Sequence, residues 1–179
     1  LEKAEGEYKE ALRIRRYLVQ INPQTVLPNV ANTLNNLANL HNDKKELEKA
    51  DEEYSEALGI YRSLAQINPQ GFLLNVAMTL NNLANLHSDK NELEKADEEY
   101  QEALGIYRSL AQLNPQTFLL VLAQTLNNLA LLHCTKKELE KAEREYEEAL
   151  EIRRSLAQVN PRAFLRDVAE TLNNLAIFH

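Results

Sequence analysis

Residues 47–92 read LEKADEEYSEALGIYRSLAQINPQGFLLNVAMTLNNLANLHSDKNE, and the chain repeats this pattern four times with a period of 46 residues. Every copy opens with Leu-Glu-Lys-Ala, at Leu1, Leu47, Leu93 and Leu139. A fixed period of this length indicates a repeat architecture, in which each copy is one supersecondary unit packed on its neighbours. We therefore expect a single repeat domain over residues 1–179, with copies at 1–46, 47–92, 93–138 and a truncated 139–179.

Each copy contains two stretches in which apolar residues recur at helical spacing. The first, helix B, is predicted at about 44–66 of the second copy, with Asp43 and Glu46 forming a capping box at its start. An Asn-Pro pair ends it, because the residue before proline avoids the helical region. The second, helix A, is predicted at about 72–87. The order along the chain is B, then A and B three times, then A, which gives about eight helices and an all-α fold.

The composition supports this fold class and narrows the classes of partner. Only 4 of 179 residues are glycine, well below the usual ~7%, which argues against all-β folds and glycine-loop-rich α/β folds. The longest uninterrupted apolar stretch, residues 118–123, is much shorter than the ~20 residues of a membrane-spanning helix. The formal net charge of −7 disfavours nucleic acid and anionic membrane surfaces. We therefore expect neither nucleic acid nor a membrane as a partner.

The single cysteine and the chain ends carry expectations about location and completeness. Cys134 excludes an internal disulfide and suits a reducing compartment, so we expect a cytoplasmic, intracellular location. The first residue is not Met and the fourth copy is short. We therefore expect the chain to be a fragment of a longer array.

Helix A has two faces of different character. One face is apolar and nearly identical in all copies, as expected of a packing face. The opposite face varies, except at one asparagine position, occupied by Asn36, Asn82, Asn128 and Asn174. That face is rich in uncharged amides in the first copies and becomes apolar toward the last. It is either an unconstrained surface or a binding surface.

Five residues spanning the second and third copies match the spacing of the tetratricopeptide repeat signature: Leu83, Ala84, Ala96, Tyr100 and Ala103. Leu replaces the signature's Trp, and His replaces its first Tyr. The phrase Thr-Leu-Asn-Asn-Leu-Ala, followed by Tyr-x-Glu-Ala-Leu-x-Ile, resembles the long repeats of kinesin light chains and their bacterial relatives. The resemblance covers the whole chain. It implies an α-solenoid of antiparallel helix pairs, a TPR-like right-handed superhelix with helix A on its concave side.

The resemblance also implies a function, a non-enzymatic protein–protein interaction scaffold that binds an extended peptide or partner protein on the concave face. An asparagine amide has both donors and an acceptor, so it can pair with a peptide backbone. The alternative is that each amide bonds a neighbouring helix and sets the repeat register. No cation stands at the positions matching the carboxylate clamp of chaperone-binding members. The candidate groove residues are Asn32, Asn36, Asn39, Asn75, Met78, Asn82, Asn85, Val121, Gln124, Asn128, Leu131, Glu170, Asn174 and Ile177.

A second functional hypothesis is self-assembly. The chain opens on a helix B without a preceding helix A and closes on a helix A without a following helix B. Apolar residues at the closing end would lose the helix that covers their equivalents, namely Leu172, Leu175, Ala176 and Phe178. This predicts end-to-end association into a homo-oligomer, or exchange of terminal helices between chains. In a longer array the same surface would be the docking face of the next repeat.

Histidine occurs once per copy, at His41, His87, His133 and His179, always on the packing face. Packed helices lie 8–10 Å apart, whereas zinc needs ligand atoms ~2 Å away, so we expect buried or half-buried packing histidines and no shared metal. The chain contains no Walker loop, no dinucleotide glycine motif, no His-Glu-x-x-His and no Cys-x-x-Cys. We therefore expect no catalytic residue, no cofactor and no enzymatic activity.

Overall fold

The computed structural model describes residues 1–178, with only the backbone of residue 177. It contains α-helices and one short 3-10 helix, and no strand within the described residues. The elements are α1 Glu2–Val19, α2 Pro23–Asp43, α3 Leu47–Ile67, α4 Pro69–Asp89, α5 Leu93–Leu113, α6 Pro115–Thr135, α7 Leu139–Val159, α8 Pro161–Leu175 and the 3-10 helix Ala176–Phe178. Odd-numbered helices are the B helices and even-numbered helices the A helices. The prediction of an all-α solenoid of about eight paired helices is confirmed.

The helices form two compact units, unit 1 at residues 1–90 and unit 2 from residue 91 onward. In unit 1, α2 packs against α1 and α3, and α3 packs against α4. In unit 2, α6 packs against α5 and α7, and α7 packs against α8. Each helix within a unit thus packs on the next one along the chain, as in a solenoid. The expectation of one domain over residues 1–179 stays a prediction.

The core of each unit is built from the same repeat positions. Alanines on both helices of a pair are 0% exposed, among them Ala38 and Ala50 in unit 1 and Ala130 and Ala142 in unit 2. Leucines and a tyrosine surround these alanines and are buried in both units. Burying one leucine side chain contributes roughly 1.5–3 kcal/mol. The invariant columns of the sequence are therefore explained by helix packing.

The turn from helix A to helix B differs from the predicted capping box. Helix α2 continues to Asp43, and α3 begins at Leu47, with Glu46 at the N-cap and no side-chain capping hydrogen bond. Lys45 lies between them with φ 61°, and its N–H donates to the Asn42 carbonyl at 2.9 Å. A residue in the left-handed region ends a helix by redirecting the chain. The capping-box prediction was therefore wrong, because Asp43 closes helix A.

The Asn-Pro pairs start helix A earlier than predicted. Asn68 is the C-cap of α3 and also the N-cap of α4, where its side chain accepts a hydrogen bond from the Gly71 N–H at 3.0 Å. Pro69 occupies the first helical turn, where its missing N–H has no consequence. Asn114 and Asn160 cap α6 and α8 in the same way. Helix A therefore begins at the proline, three residues before the predicted start.

Helix α6 is long and apolar enough, by length and composition alone, to cross a membrane. Its residues Leu122, Leu126 and Leu129 are buried within unit 2. A helix in the core of a packed protein can have the same length and apolar composition, so packing accounts for the composition of α6. The expectation of no membrane partner stays a prediction.

Candidate functional site

Helices α2 and α4 place a set of uncharged side chains around one groove in unit 1. The spacing of three to four residues aligns the side chains of each helix on one face. The groove encloses about 400 Å³. Its lining residues are Asn32, Asn35, Asn36, Asn39, Asn75, Met78 and Asn82. The structure thus brings six of the predicted groove residues together and adds Asn35.

The groove is polar but carries no charge. Met78 is its one apolar lining residue and is 51% exposed. Every other lining residue is an asparagine, so amide donors and acceptors surround a single thioether. This chemistry suits an uncharged polar ligand better than a carboxylate or an ammonium group.

Two buried tyrosines of α3 support the groove from behind. The Tyr61 hydroxyl donates to Asn32 Oδ1 at 2.6 Å, and the Tyr54 hydroxyl donates to Asn39 Oδ1. Burial raises the pKa of Tyr61, against an opposing effect of hydrogen bonds from Asn75 and Asn35. Burial, aided by nearby carboxylates, also holds the pKa of Tyr54 far above its ordinary value. Both hydroxyls therefore stay protonated, and the two asparagines use their acceptor oxygens internally.

This tyrosine support was not predicted from the sequence. The position of Tyr61 holds Arg15 in the first copy, Tyr107 in the third and Arg153 in the fourth. A core position that takes only side chains with a polar tip is a signal that some polar group lies opposite. That signal was available from the repeat alignment.

Asn35 fits the alternative in which an asparagine amide bonds a neighbouring helix and sets the repeat register. Its Nδ2 donates to Thr79 Oγ1 at 3.0 Å, and Thr79 in turn donates to the Asn75 carbonyl at 2.9 Å. These bonds join α2 to α4. In unit 2, Asn174 Nδ2 donates to Asn127 Oδ1 at 3.3 Å and joins α8 to α6 in a related way. Amides at these positions therefore set the register of neighbouring A helices.

Asn36 and Asn82 behave differently. Asn36 is exposed and Asn82 half-buried, both line the groove, and neither side chain hydrogen-bonds another described residue. Both belong to the asparagine position that is identical in all four copies. Setting the repeat register does not explain these two amides in unit 1. Their donors and acceptors are open to a ligand.

The matching face of unit 2 is less polar and partly charged. On α6, Gln124 and Leu131 are exposed, and Val121 and Asn128 are half-buried. On α8, Glu170 is exposed and Asn174 is half-buried, and the side chain of Ile177 lies outside the described residues. Asn85 of α4 is half-buried and does not line the unit 1 groove. The exposed side chains named on this face in unit 2 are one amide, one leucine and one glutamate, so the change from amide to apolar along the array stays a prediction.

An arginine stands at the Tyr61 position in the last copy, on α7 of unit 2. Arg153 is 6% exposed, and its Nη1 donates to the Asp167 carbonyl at 3.0 Å and to Thr171 Oγ1. Its Nε has no hydrogen-bond partner among the described residues. Arg15 makes the same two contacts in unit 1, to the Asn29 carbonyl at 3.0 Å and to Thr33 Oγ1. Tyr107 of unit 2 is buried like Tyr61. Each unit therefore has one tyrosine and one arginine at this repeat position.

The closing end of unit 2 corrects one part of the self-assembly hypothesis. Leu172 is 42% exposed, and Ala176 is also exposed. Leu175 is only 5% exposed, because it packs in the core cluster with α7, and Phe178 packs against Tyr146 with ring centroids 6.1 Å apart. The prediction that Leu175 lies uncovered was wrong. The remaining exposed surface is a cavity of about 520 Å³ lined by Glu147, Leu150, Glu151, Arg154, Leu172, Leu175 and Ala176.

His41, His87 and His133 are at most 1% exposed, as predicted for packing histidines, and His179 lies outside the described residues. Each nevertheless meets a carboxylate. His133 Nδ1 lies 2.7 Å from Glu145 Oε2, and its Nε2 lies 3.3 Å from Asp97 Oδ2. These contacts were not predicted from the sequence, although an acidic residue precedes each of these three histidines by 36 positions.

Each of these histidines forms one cluster with its neighbouring carboxylates and a lysine. Lys136 Nζ lies 2.6 Å from Asp97 Oδ2, and Lys44 Nζ lies 2.6 Å from Glu5 Oε2 in unit 1. Although burial acts in the opposite direction, the hydrogen bond from Lys136 and the proximity of His133 lower the pKa of Asp97. The hydrogen bond from Lys44 likewise lowers the pKa of Glu5.

The cluster around His133 contains the types of side chain that bind metal cations. Ligand atoms of Asp97, His133 and Glu138 lie within 4.8 Å of one another. The ammonium group of Lys136 lies between these carboxylates, 3.6 Å from Glu138 Oε1. The protein thus supplies its own cation, and the cluster acts as an ion-pair network that joins α5, α6 and the turn after α6.

Comparison with known proteins agrees with the repeat geometry. Two family models described as tetratricopeptide repeat match residues 29–109 and 122–161, which together are more than half of the chain. No curated protein sequence matches the chain.

Solved structures with the same fold have low sequence identity to this chain. BtubC (BKLC) from P. vanneervenii is 22% identical with a TM-score of 0.53, and the match covers 97% of this chain and 81% of that one. The N-terminal domain of stress-induced protein-1 (STI-1) from C. elegans is 16% identical with a TM-score of 0.56, covering 81% and 96%. MamA is 18% identical with a TM-score of 0.50, covering 98% and 88%. At these identities the similarity concerns the fold alone.

Proposed function

Because the chain belongs to the tetratricopeptide repeat family, whose repeats mediate protein–protein interactions, we propose that it is a non-enzymatic scaffold that binds an extended segment of a partner protein in the unit 1 groove. One observation carries this proposal. Asn36 and Asn82 face the groove with no hydrogen bond to another described residue, while the neighbouring Asn35 is bound internally.

The hydrogen-bonding capacity of the groove favours a peptide backbone as the ligand. An extended backbone presents alternating carbonyl acceptors and N–H donors, which an asparagine amide can satisfy whatever the side chains are. Asn32 and Asn39 give their acceptor oxygens to tyrosine hydroxyls, so their amide N–H groups are left for carbonyl oxygens. Each such bond contributes about 0.5–1.5 kcal/mol, so several are needed for specific binding.

The lining also limits the ligand's side chains. The groove holds no lysine or arginine that could pair with a terminal carboxylate. Met78 offers one flexible apolar contact in the middle of the amides. We therefore expect an internal segment that is uncharged where it crosses the groove and places an apolar residue on Met78.

The test begins with peptides selected from a random library on the chain of residues 1–179. Their dissociation constants are then measured for the double variant Asn36→Ala, Asn82→Ala. We expect a loss of at least tenfold with unchanged helical circular dichroism, since two direct amide contacts are removed. The control is Asn173→Ala, an exposed asparagine on α8 outside the groove. Equal binding by the wild-type chain and the double variant would refute the proposal.

A further inference from the structure

An arginine–glutamate pair links successive B helices at the same repeat position in both units. In unit 1, Arg16 Nη2 of α1 lies 2.7 Å from both carboxylate oxygens of Glu56 on α3. In unit 2, Arg108 Nη2 of α5 lies 3.1 and 2.8 Å from the two oxygens of Glu148 on α7. In each pair the glutamate follows the arginine by 40 residues.

Two members of this series form no such pair among the described residues. Arg154 on α7 occupies the arginine position of the fourth copy, and Glu10 on α1 occupies the glutamate position of the first. Both are exposed, and neither forms an ion pair with a described residue. They carry opposite charges and have the repeat positions that pair elsewhere.

Arg154 borders the exposed cavity at the end of unit 2. Leu172 and Ala176, which line that cavity, are exposed. Their equivalents on α6, Leu126 and Ala130, are 0% exposed, where α7 packs on α6. The lining of this cavity therefore matches the surface of α6 on which the B helix α7 packs.

Helix α1 has the complementary face. Its residues Ala4, Tyr8 and Ala11 are only half-buried. The equivalent residues of α7 are at most 2% exposed, among them Ala142 and Tyr146, which pack with Ala130 in the core of unit 2. The side of α1 that carries the same residues as the α6-facing side of α7 is therefore only partly covered.

We propose that the exposed α7–α8 face binds α1 of a second copy of this chain, with Arg154 of one copy against Glu10 of the other. The contact reproduces the α6–α7 packing, in which small alanines allow close approach and a tyrosine fills the adjoining space. It is heterologous, since it uses two different faces, so every added copy brings one face of each kind. This inference does not involve the groove residues and goes beyond the proposed function.

The first test is sedimentation equilibrium of the chain of residues 1–179 from about 10 µM to about 1 mM, the range in which weak protein contacts are populated. The weight-average mass should rise above the 20.5 kDa of one chain as the concentration increases. A mass of 20.5 kDa at all of these concentrations would overturn the proposal.

The second test exploits charge reversal. The variants Arg154→Glu and Glu10→Arg should each weaken association about fivefold to tenfold, because an exposed ion pair is replaced by a like-charge pair. An equimolar mixture of the two variants should associate like the wild-type chain, because complementary pairs form again between different copies. Association that neither variant weakens, or that the mixture does not restore, would overturn the assigned contact.

Two further variants separate this contact from general charge and folding effects. Arg166→Glu changes the same charge at an exposed position of α8 away from the cavity and should leave association unchanged. Leu172→Glu places a charge in the docking surface and should weaken association at least tenfold, since apolar burial is lost. Circular dichroism checks that both variants keep the wild-type helix content. Retained association in folded Leu172→Glu would contradict the proposed docking surface.

Discussion

Unit 1 and unit 2 have nearly the same core but present different side chains on their A helices. In unit 1 the exposed face is made of amides around Met78, and a neutral phenol, Tyr61, supports it from behind. In unit 2 the matching face includes the exposed Leu131 and Glu170, whereas the repeat position of Tyr61 holds one tyrosine and one arginine in each unit. The four copies are therefore alike where helices pack and differ on the exposed face of helix A, and the uncharged groove that we propose as the binding site lies in unit 1.

The largest expected effect concerns what the two units share. Leu34 and Leu126 occupy the same core position and are 1% and 0% exposed. Leu34→Ala and Leu126→Ala should each lower the free energy of unfolding by about 2–5 kcal/mol, because each removes buried methyl groups and leaves a cavity. Urea denaturation followed by circular dichroism measures both losses. Leu131→Ala is the control, since that leucine is 59% exposed and its loss should change stability by less than about 0.5 kcal/mol. A difference of several kcal/mol between the two core variants would contradict a common core.

The second prediction uses the repeat position that holds tyrosine in the two inner copies and arginine in the first and last. Tyr61→Phe should lower the free energy of unfolding by about 1 kcal/mol, because the hydrogen bond to Asn32 is lost. Arg153→Tyr should be neutral or stabilise by about 1 kcal/mol, because a buried charge with an unsatisfied Nε is replaced by the residue that the inner copies use. Both are measured by urea denaturation. A loss of more than about 2 kcal/mol in Arg153→Tyr would show that the guanidinium itself stabilises unit 2.

The comparison of the two units also shows how much of the fold and of the groove could be predicted from the sequence alone. Repeat columns predicted the helices and their order, and helical spacing predicted that Asn36 shares a face with the other groove residues of α2. The helix ends were missed because Lys45 gives no sign of a left-handed conformation, although Asn91 at the same position does favour one. Which amides were already occupied was not predictable from one sequence. Asn35 and Asn36 are neighbours of identical type, and only their three-dimensional contacts separate the internal role from the open one.

The third prediction concerns the histidine–carboxylate–lysine clusters that both units contain. The pKa of Asp97 is lowered in the folded state, so the folded state binds fewer protons than the unfolded state in acid. The resulting stability is present above the ordinary Asp value of 3.8 and is lost as the pH falls through the lowered folded value. Asp97→Asn should therefore lower stability at pH 7 by about 1 kcal/mol and flatten its dependence on pH below about 4. Thermal unfolding from pH 2 to pH 7 measures this. Asp89→Asn, at an exposed helix end, is the control, and an unchanged acid profile in Asp97→Asn would argue against the ion pair.

The smallest expected effect lies in the turns that end helix A. Lys45 and Lys137 have φ values of 61° and 62°, a region that costs a residue with a Cβ about 1 kcal/mol or more relative to glycine. Lys45→Gly and Lys137→Gly should each raise the free energy of unfolding by about 0.5 kcal/mol, because relief of this strain exceeds the added entropy of the unfolded chain. Lys136→Gly provides the opposite case, since that residue is right-handed and its ammonium group binds Asp97. It should destabilise by about 1 kcal/mol, and equal signs in Lys136→Gly and Lys137→Gly would contradict the left-handed turn. Because unit 1 and unit 2 share this backbone geometry, the gain at Lys45 should equal the gain at Lys137.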